Sequence, residues 1–97
     1  MKKSFIYNFD PEKNAWLIEN RGVSFEQVIS ILESQGAIDI IDHPNRDQYA
    51  HQKMYVLELS NYVYLVPFVE DKHHEIFLKT IFPSRKATKD YLLKPQL

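Results

Sequence analysis

The chain has 97 residues, 12 Lys+Arg against 13 Asp+Glu for a formal charge of −1, and 44% hydrophobic residues against 26% charged. That is the composition of one small globular domain, 1–97, with a single core, and its bulk charge announces neither nucleic acid nor membrane. The absence of cysteine excludes disulfides, zinc ribbons and thiol catalysis, two glycines leave no Gly-rich phosphate loop, and apolar runs of about four residues make neither a membrane span nor a signal-peptide core, so a soluble cytoplasmic chain is expected.

Phe5 to Phe9 reads as a short strand of aromatic and β-branched residues. Asp10-Pro11 then caps and opens a helix from Glu12 to about Asn20, stopped by Gly22. Ser24 with Gln27 three residues on makes a capping box for a second helix, closed by Gly36. Its stripe, Phe25, Val28, Ile29 and Leu32, falls at i, i+3, i+4 and i+7 and is expected to pack on a sheet, with Trp16 at the helix–helix seam. After Gly36 the period changes to two. Ala37 to Asp42 is a strand candidate, and His43 to Gln48 a polar loop. Lys53–Leu59 and Tyr62–Val69 form a hairpin about Ser60-Asn61, with a bulge or unpaired edge implied at Pro67. Glu75 to Phe82 reads as one further strand, placing Ile76, Leu78 and Phe82 on one face and Phe77, Lys79 and Ile81 on the other. Ser84 caps a short basic helix, Arg85 to Leu93. The fold expected is α+β: a four-stranded antiparallel sheet plus a short N-terminal strand, two N-terminal helices and a short C-terminal helix, with the helices on one face.

Charge is polarised along the chain, net −5 from Asp10 to Asp42 and net +4 from Lys79 to Lys94. Arg85 and Lys86 open a helix, where the dipole favours acids, so this corner reads either as a solvated basic tail or as a cationic site for phosphate. Metal ligation finds little support. His73 and His74 are adjacent and point apart, and His43 and His51 meet only if their loop folds back; no metal and no cofactor are expected. No serine elbow or cysteine nucleophile is present, and Asp39 and Asp42 face opposite sides of a strand. Metal-free RNA cleavage asks for a different set: cations for the phosphorane, groups that move the 2′-OH proton, and aromatics for the base. Lys53, Lys79, Arg85, Lys86, Lys89 and Tyr91, beside Tyr55, Tyr62 and Tyr64, supply those types. In that scheme Arg85 holds the scissile phosphate, Lys53 and Lys79 add charge, and Tyr91 or His51 handles the proton, while Lys86, Lys89 and Tyr55 bind RNA. Aromatic residues on strands are, as often, core.

Phe9-Asp10-Pro11-Glu12-Lys13-Asn14 followed by Asn20-Arg21-Gly22-Val23-Ser24-Phe25-Glu26 resembles the opening of the BrnT-type toxins of bacterial type II toxin–antitoxin systems. Lys79-Thr80-Ile81-Phe82-Pro83-Ser84-Arg85-Lys86-Ala87-Thr88 is similar to their closing strand and Arg-Lys-Ala-Thr helix start. The likeness runs over about residues 5–92. It implies a RelE-like ribonuclease fold, metal-independent RNA cleavage that arrests growth, and neutralisation by a small DNA-binding antitoxin of ribbon-helix-helix type. Arg85 matches that family's arginine after the last strand and Lys53 its basic residue opening the second sheet strand. Arg21-Gly22 stands where the family has His-Gly, and the loop from His43 to Gln52 matches no family residue.

The leading function expected from these residues and that resemblance is a ribonuclease toxin; the alternative is a toxin-like module that only binds antitoxin or RNA, and the third a plain interaction domain. Convergence of Lys53 and Arg85 on one pocket favours cleavage; their separation on opposite faces of the sheet favours binding alone.

Overall fold

A computed structural model describes residues 5–45, 47–49 and 52–93. Strand β1 is Ile6–Asn8. Asp10, in an extended conformation, accepts from the Glu12 N–H at 3.0 Å and starts α1 (Pro11–Arg21), whose first position suits proline because it has no N–H to lose. Gly22 turns out at φ 68° and donates to the Ile18 carbonyl. The reciprocal Ser24–Gln27 box then opens α2 (Phe25–Ser34). Asn14 joins the two helices. Its Oδ1 accepts from the buried Phe25 N–H at 2.7 Å and its Nδ2 donates to Glu26 Oε1 at 2.8 Å.

The remaining elements are β2 (Asp39–Asp42), β3 (Lys53–Leu59), β4 (Tyr62–Glu70), β5 (Glu75–Leu78), β6 (Phe82–Pro83) and α3 (Arg85–Tyr91). Strands lie in the order β1-β5-β4-β3-β2, with β6 also pairing β4. The fold is α+β, with three helices on a six-stranded sheet among the described residues. It is mixed and not purely antiparallel, because β1 runs parallel to β5 with Tyr7 opposite Ile76. An alternating pattern announces that a strand exists but not its neighbour; here the pairing sets Tyr7 on the same face as the buried Ile76.

The expected strand from Glu75 to Phe82 is broken in two. Phe68 opposes Leu78 and Leu65 opposes Phe82, a slip of one residue, so the stretch between Leu78 and Phe82 carries one residue more than its partner. Pro67 accounts for the place. Lys79 donates to the Pro67 carbonyl at 2.8 Å, and the reciprocal bond cannot form because proline has no N–H. The extra residue reverses the side-chain alternation beyond it. Ile81 is fully buried in the same core as Ile76 and Leu78, while Phe82 turns to the opposite face, the reverse of the sequence expectation.

That reversal also sends α3 to the other side of the sheet. One core holds Leu17, Phe25 and Val28 from α1 and α2 against Tyr55, Leu57, Val66 and Leu78, with Ile29 and Leu32 packed at its margin. The second holds Ala87 of α3 against Met54, Val56, Val63 and Leu65. The helices therefore cover both faces and not one. Trp16 is not at the helix seam either; α1 buries Asn14 and Leu17, and Trp16 is 43% exposed. Among the described residues no helix is long and apolar enough to cross a membrane.

Candidate nucleic-acid interface

Two hydrogen bonds lock the basic helix α3 to β4, and two more within its own first turn support them. Ser84 N donates to the Val63 carbonyl at 3.0 Å and Ser84 Oγ caps Ala87 N at 3.0 Å. Thr88 Oγ1 accepts from Val63 N at 2.9 Å and donates to the Ser84 carbonyl at 2.7 Å. With Ala87 and Thr88 buried, Arg85, Lys86 and Lys89 all stand in solvent. Arg85 and Lys89, four residues apart, share one side of the helix. Neither has a hydrogen-bond or ion-pair partner among the described residues, whereas Lys86 Nζ is paired with Asp90 Oδ2 at 3.0 Å. Lys79 projects on the α3 side of the sheet, its Nζ 5.3 Å from the centre of the exposed Phe77 ring. Lys79, Arg85 and Lys89 are thus exposed cations of one sheet face.

Lys53 is elsewhere. It is exposed and shares the pleat parity of Tyr55 and Leu57, which face α1 and α2, whereas Met54 and Val56 face α3. It also opposes Phe68, five residues along β4 from Val63 where α3 begins, or about 17 Å at the usual strand rise. Lys53 and Arg85 therefore lie on opposite faces and do not converge.

The aromatic candidates also change place. Tyr55 is only 6% exposed and stacks on Phe68 at 4.0 Å between ring centres, so its ring is not open to a base. Burial, more than the neighbouring Tyr7 and Glu70, pushes its hydroxyl well above the usual phenol range. Tyr91 is 38% exposed, but its hydroxyl donates to Asp39 Oδ2 at 2.7 Å. That bond, ahead of slight burial, raises the Tyr91 pKa and makes it a poorer proton acceptor at neutral pH. His51 lies outside the described residues. Among the described residues no group of three or more metal-ligating side chains is gathered; His43 meets the Tyr49 ring at a tilt of 34°, and His74 Nδ1 lies 2.7 Å from Glu70 Oε2 in an exposed turn.

One cation escaped the sequence reading. Arg21, the last residue of α1, donates through Nη1 to the Ile81 carbonyl at 2.6 Å, reaching the irregular stretch that precedes β6 and Arg85. Its signal in the chain is a single exposed-looking arginine before a helix-stopping glycine, and the contact spans sixty positions. Compared with known proteins, the chain matches no family model, no curated protein and no solved structure.

Proposed function

We propose that this chain is the toxin-like member of a bacterial toxin–antitoxin pair and that it binds RNA, and an acidic segment of its antitoxin, through the cations of the α3 face. The observation that carries the reading is the exposed, unpaired placement of Arg85 and Lys89 on one side of α3, with Lys79 on the same face of the sheet. Unpaired guanidinium and ammonium groups attract phosphate, and an acidic polypeptide that folds on binding competes for the same charges. The resemblance to BrnT-type toxins over the Lys79–Thr88 stretch supports the same assignment.

Binding without cleavage is the form that the geometry favours, because Lys53 lies on the far face and Tyr91 holds its proton on Asp39. Cleavage is the second reading, favoured by the unpaired Arg85, which is free to stabilise charge building on a phosphorane. Two measurements decide. Fluorescence anisotropy of a labelled single-stranded RNA should show salt-sensitive binding that Arg85→Ala and Lys89→Ala weaken while the melting curve stays put; binding indifferent to both variants would remove the α3 face. Incubating the purified protein with RNA in EDTA should leave the RNA whole, and fragments that vanish in Arg85→Ala would make the chain a metal-independent ribonuclease.

A further inference from the structure

We propose that Trp16 is a stacking platform for an unpaired base of single-stranded RNA, flanked by Lys13 and Arg21; the inference rests on the RNA reading above and adds to it a contact on α1, across the sheet from α3. Exposure alone would carry nothing, since single exposed aromatics are common. Three further observations separate this one. Lys13 Nζ lies 4.5 Å and Arg21 Cζ 4.9 Å from the centre of the Trp16 ring, so two cations attend one half-exposed indole. The two are not equivalent. Arg21 is pinned by its 2.6 Å bond to Ile81, whereas Lys13 has no hydrogen bond or ion pair among the described residues. A base can therefore take the place of the Lys13 ammonium on the ring, and the ammonium released meets a phosphate of the same strand.

Position supplies the third argument. The Ile81 carbonyl that holds Arg21 is four residues before Arg85, at most about 14 Å of extended chain. The platform lies on the α1–α2 face and the α3 cations on the other, and the stretch from Ile81 through β6 to Arg85 is the chain that passes between them. Glu12 and Glu19, exposed one turn to either side of Trp16 on α1, repel a backbone running along that helix and favour one that crosses it towards Arg21. The ligand is single-stranded because paired bases keep their faces inside the duplex stack, and it is sequence-tolerant because every base has a face to offer.

Trp16 is the chain's only tryptophan, so its emission reports on this ring alone. A short oligouridylate should quench that emission along the same curve as the anisotropy of the labelled oligonucleotide. An abasic oligonucleotide with equal phosphates should bind more weakly and leave the emission unchanged. Trp16→Ala should lower affinity about 5- to 150-fold, the range that base–aromatic stacking supplies, and Trp16→Phe should retain most of it, with both variants melting like the parent. Binding by anisotropy with unchanged emission, or with unchanged affinity in Trp16→Ala, overturns the platform and leaves the RNA reading standing. No binding of any oligonucleotide overturns both. Equal quenching by polyglutamate also overturns it, and marks the surface as one for an acidic protein.

Discussion

Asn14→Ala tests the joint between α1 and α2. The side chain is 7% exposed and makes two bonds, accepting from the buried Phe25 N–H at 2.7 Å and donating to Glu26 at 2.8 Å. Alanine leaves the Phe25 N–H buried without a partner, which costs about 1–3 kcal/mol. Against a total of about 5–15 kcal/mol that is a large share, and the middle of the range, about 2 kcal/mol, lowers the melting temperature by about 8–16 °C in a domain this size. The Glu26 bond adds a dependence on pH. Asn14, first among several hydrogen bonds, depresses the Glu26 pKa. A depressed carboxyl stabilises the fold above its unfolded pKa of about 4.3 and loses that contribution as pH falls through the folded value. The gap between parent and Asn14→Ala should therefore be widest near neutral pH and narrow on acidification below pH 4. Asn14→Asp keeps the acceptor for Phe25 but sets a second carboxylate beside Glu26, so it should be least stable at neutral pH and recover in acid. Thermal melts by circular dichroism at pH 7 and pH 3.5 decide. An Asn14→Ala midpoint within 2 °C of the parent at pH 7 would show that the Phe25 N–H finds another partner and that Asn14 does not hold the joint.

Ser60 and Asn61 both sit at positive φ, 53° and 65°, in the two-residue turn of the β3–β4 hairpin; Ser60→Asn with Asn61→Gly should gain about 1 kcal/mol in denaturant melts at unchanged slope, and no gain would mean that the turn is not strained. Leu57→Ala, at a fully buried position among the residues packed under α1 and α2, should cost about 2–5 kcal/mol in the same melts, and a loss below 1 kcal/mol would contradict that packing. Tyr91→Phe should cost under about 1 kcal/mol at pH 7, because its bond to Asp39 is exposed. Since the Tyr91 pKa is raised, that contribution is complete below about pH 10 and is lost only as pH climbs through the raised value. An ultraviolet phenol titration in which Tyr91→Phe removes a low-pKa tyrosine would contradict the assignment.

Local chemistry was readable from local sequence. The Asp10-Pro11 start, the Ser24–Gln27 box and the stop at Gly22 each depend on residues within a few positions of one another, and they stand where those residues predict. The β3–β4 hairpin, with alternating strands about a two-residue turn, is local in the same sense. What the chain concealed depends on pairs far apart. A proline in β4 interrupts the strand opposite, the interruption reverses the faces of Ile81 and Phe82, and α3 is carried to the other side of the sheet. The same reversal separates Arg85 from Lys53, so the question most important to function turned on one missing N–H. Tyr55 is covered and Trp16 open, the reverse of their expected exposures, because both are amphipathic rings and only the packed neighbours decide which one is covered.

The pairing of β1 with β5 has a consequence for the order in which the molecule assembles. The β3–β4 hairpin closes over two residues, whereas Ile6–Asn8 must find Glu75–Phe77 across most of the chain, for three rungs of parallel ladder. Loop-closure entropy grows with the separation and few bonds offset it, so β1 docks late and is the first strand to detach. Its departure bares the outer edge of β5 and the aromatic side of Tyr7, while the hairpin and α3 stay closed. In native-state hydrogen exchange the Tyr7 amide should lose its proton well before those of Val56 and Leu65, and equal protection at the three sites would mean that the sheet opens only as a whole. The N-terminal strand is thus the clasp on a frame that is already built when it arrives.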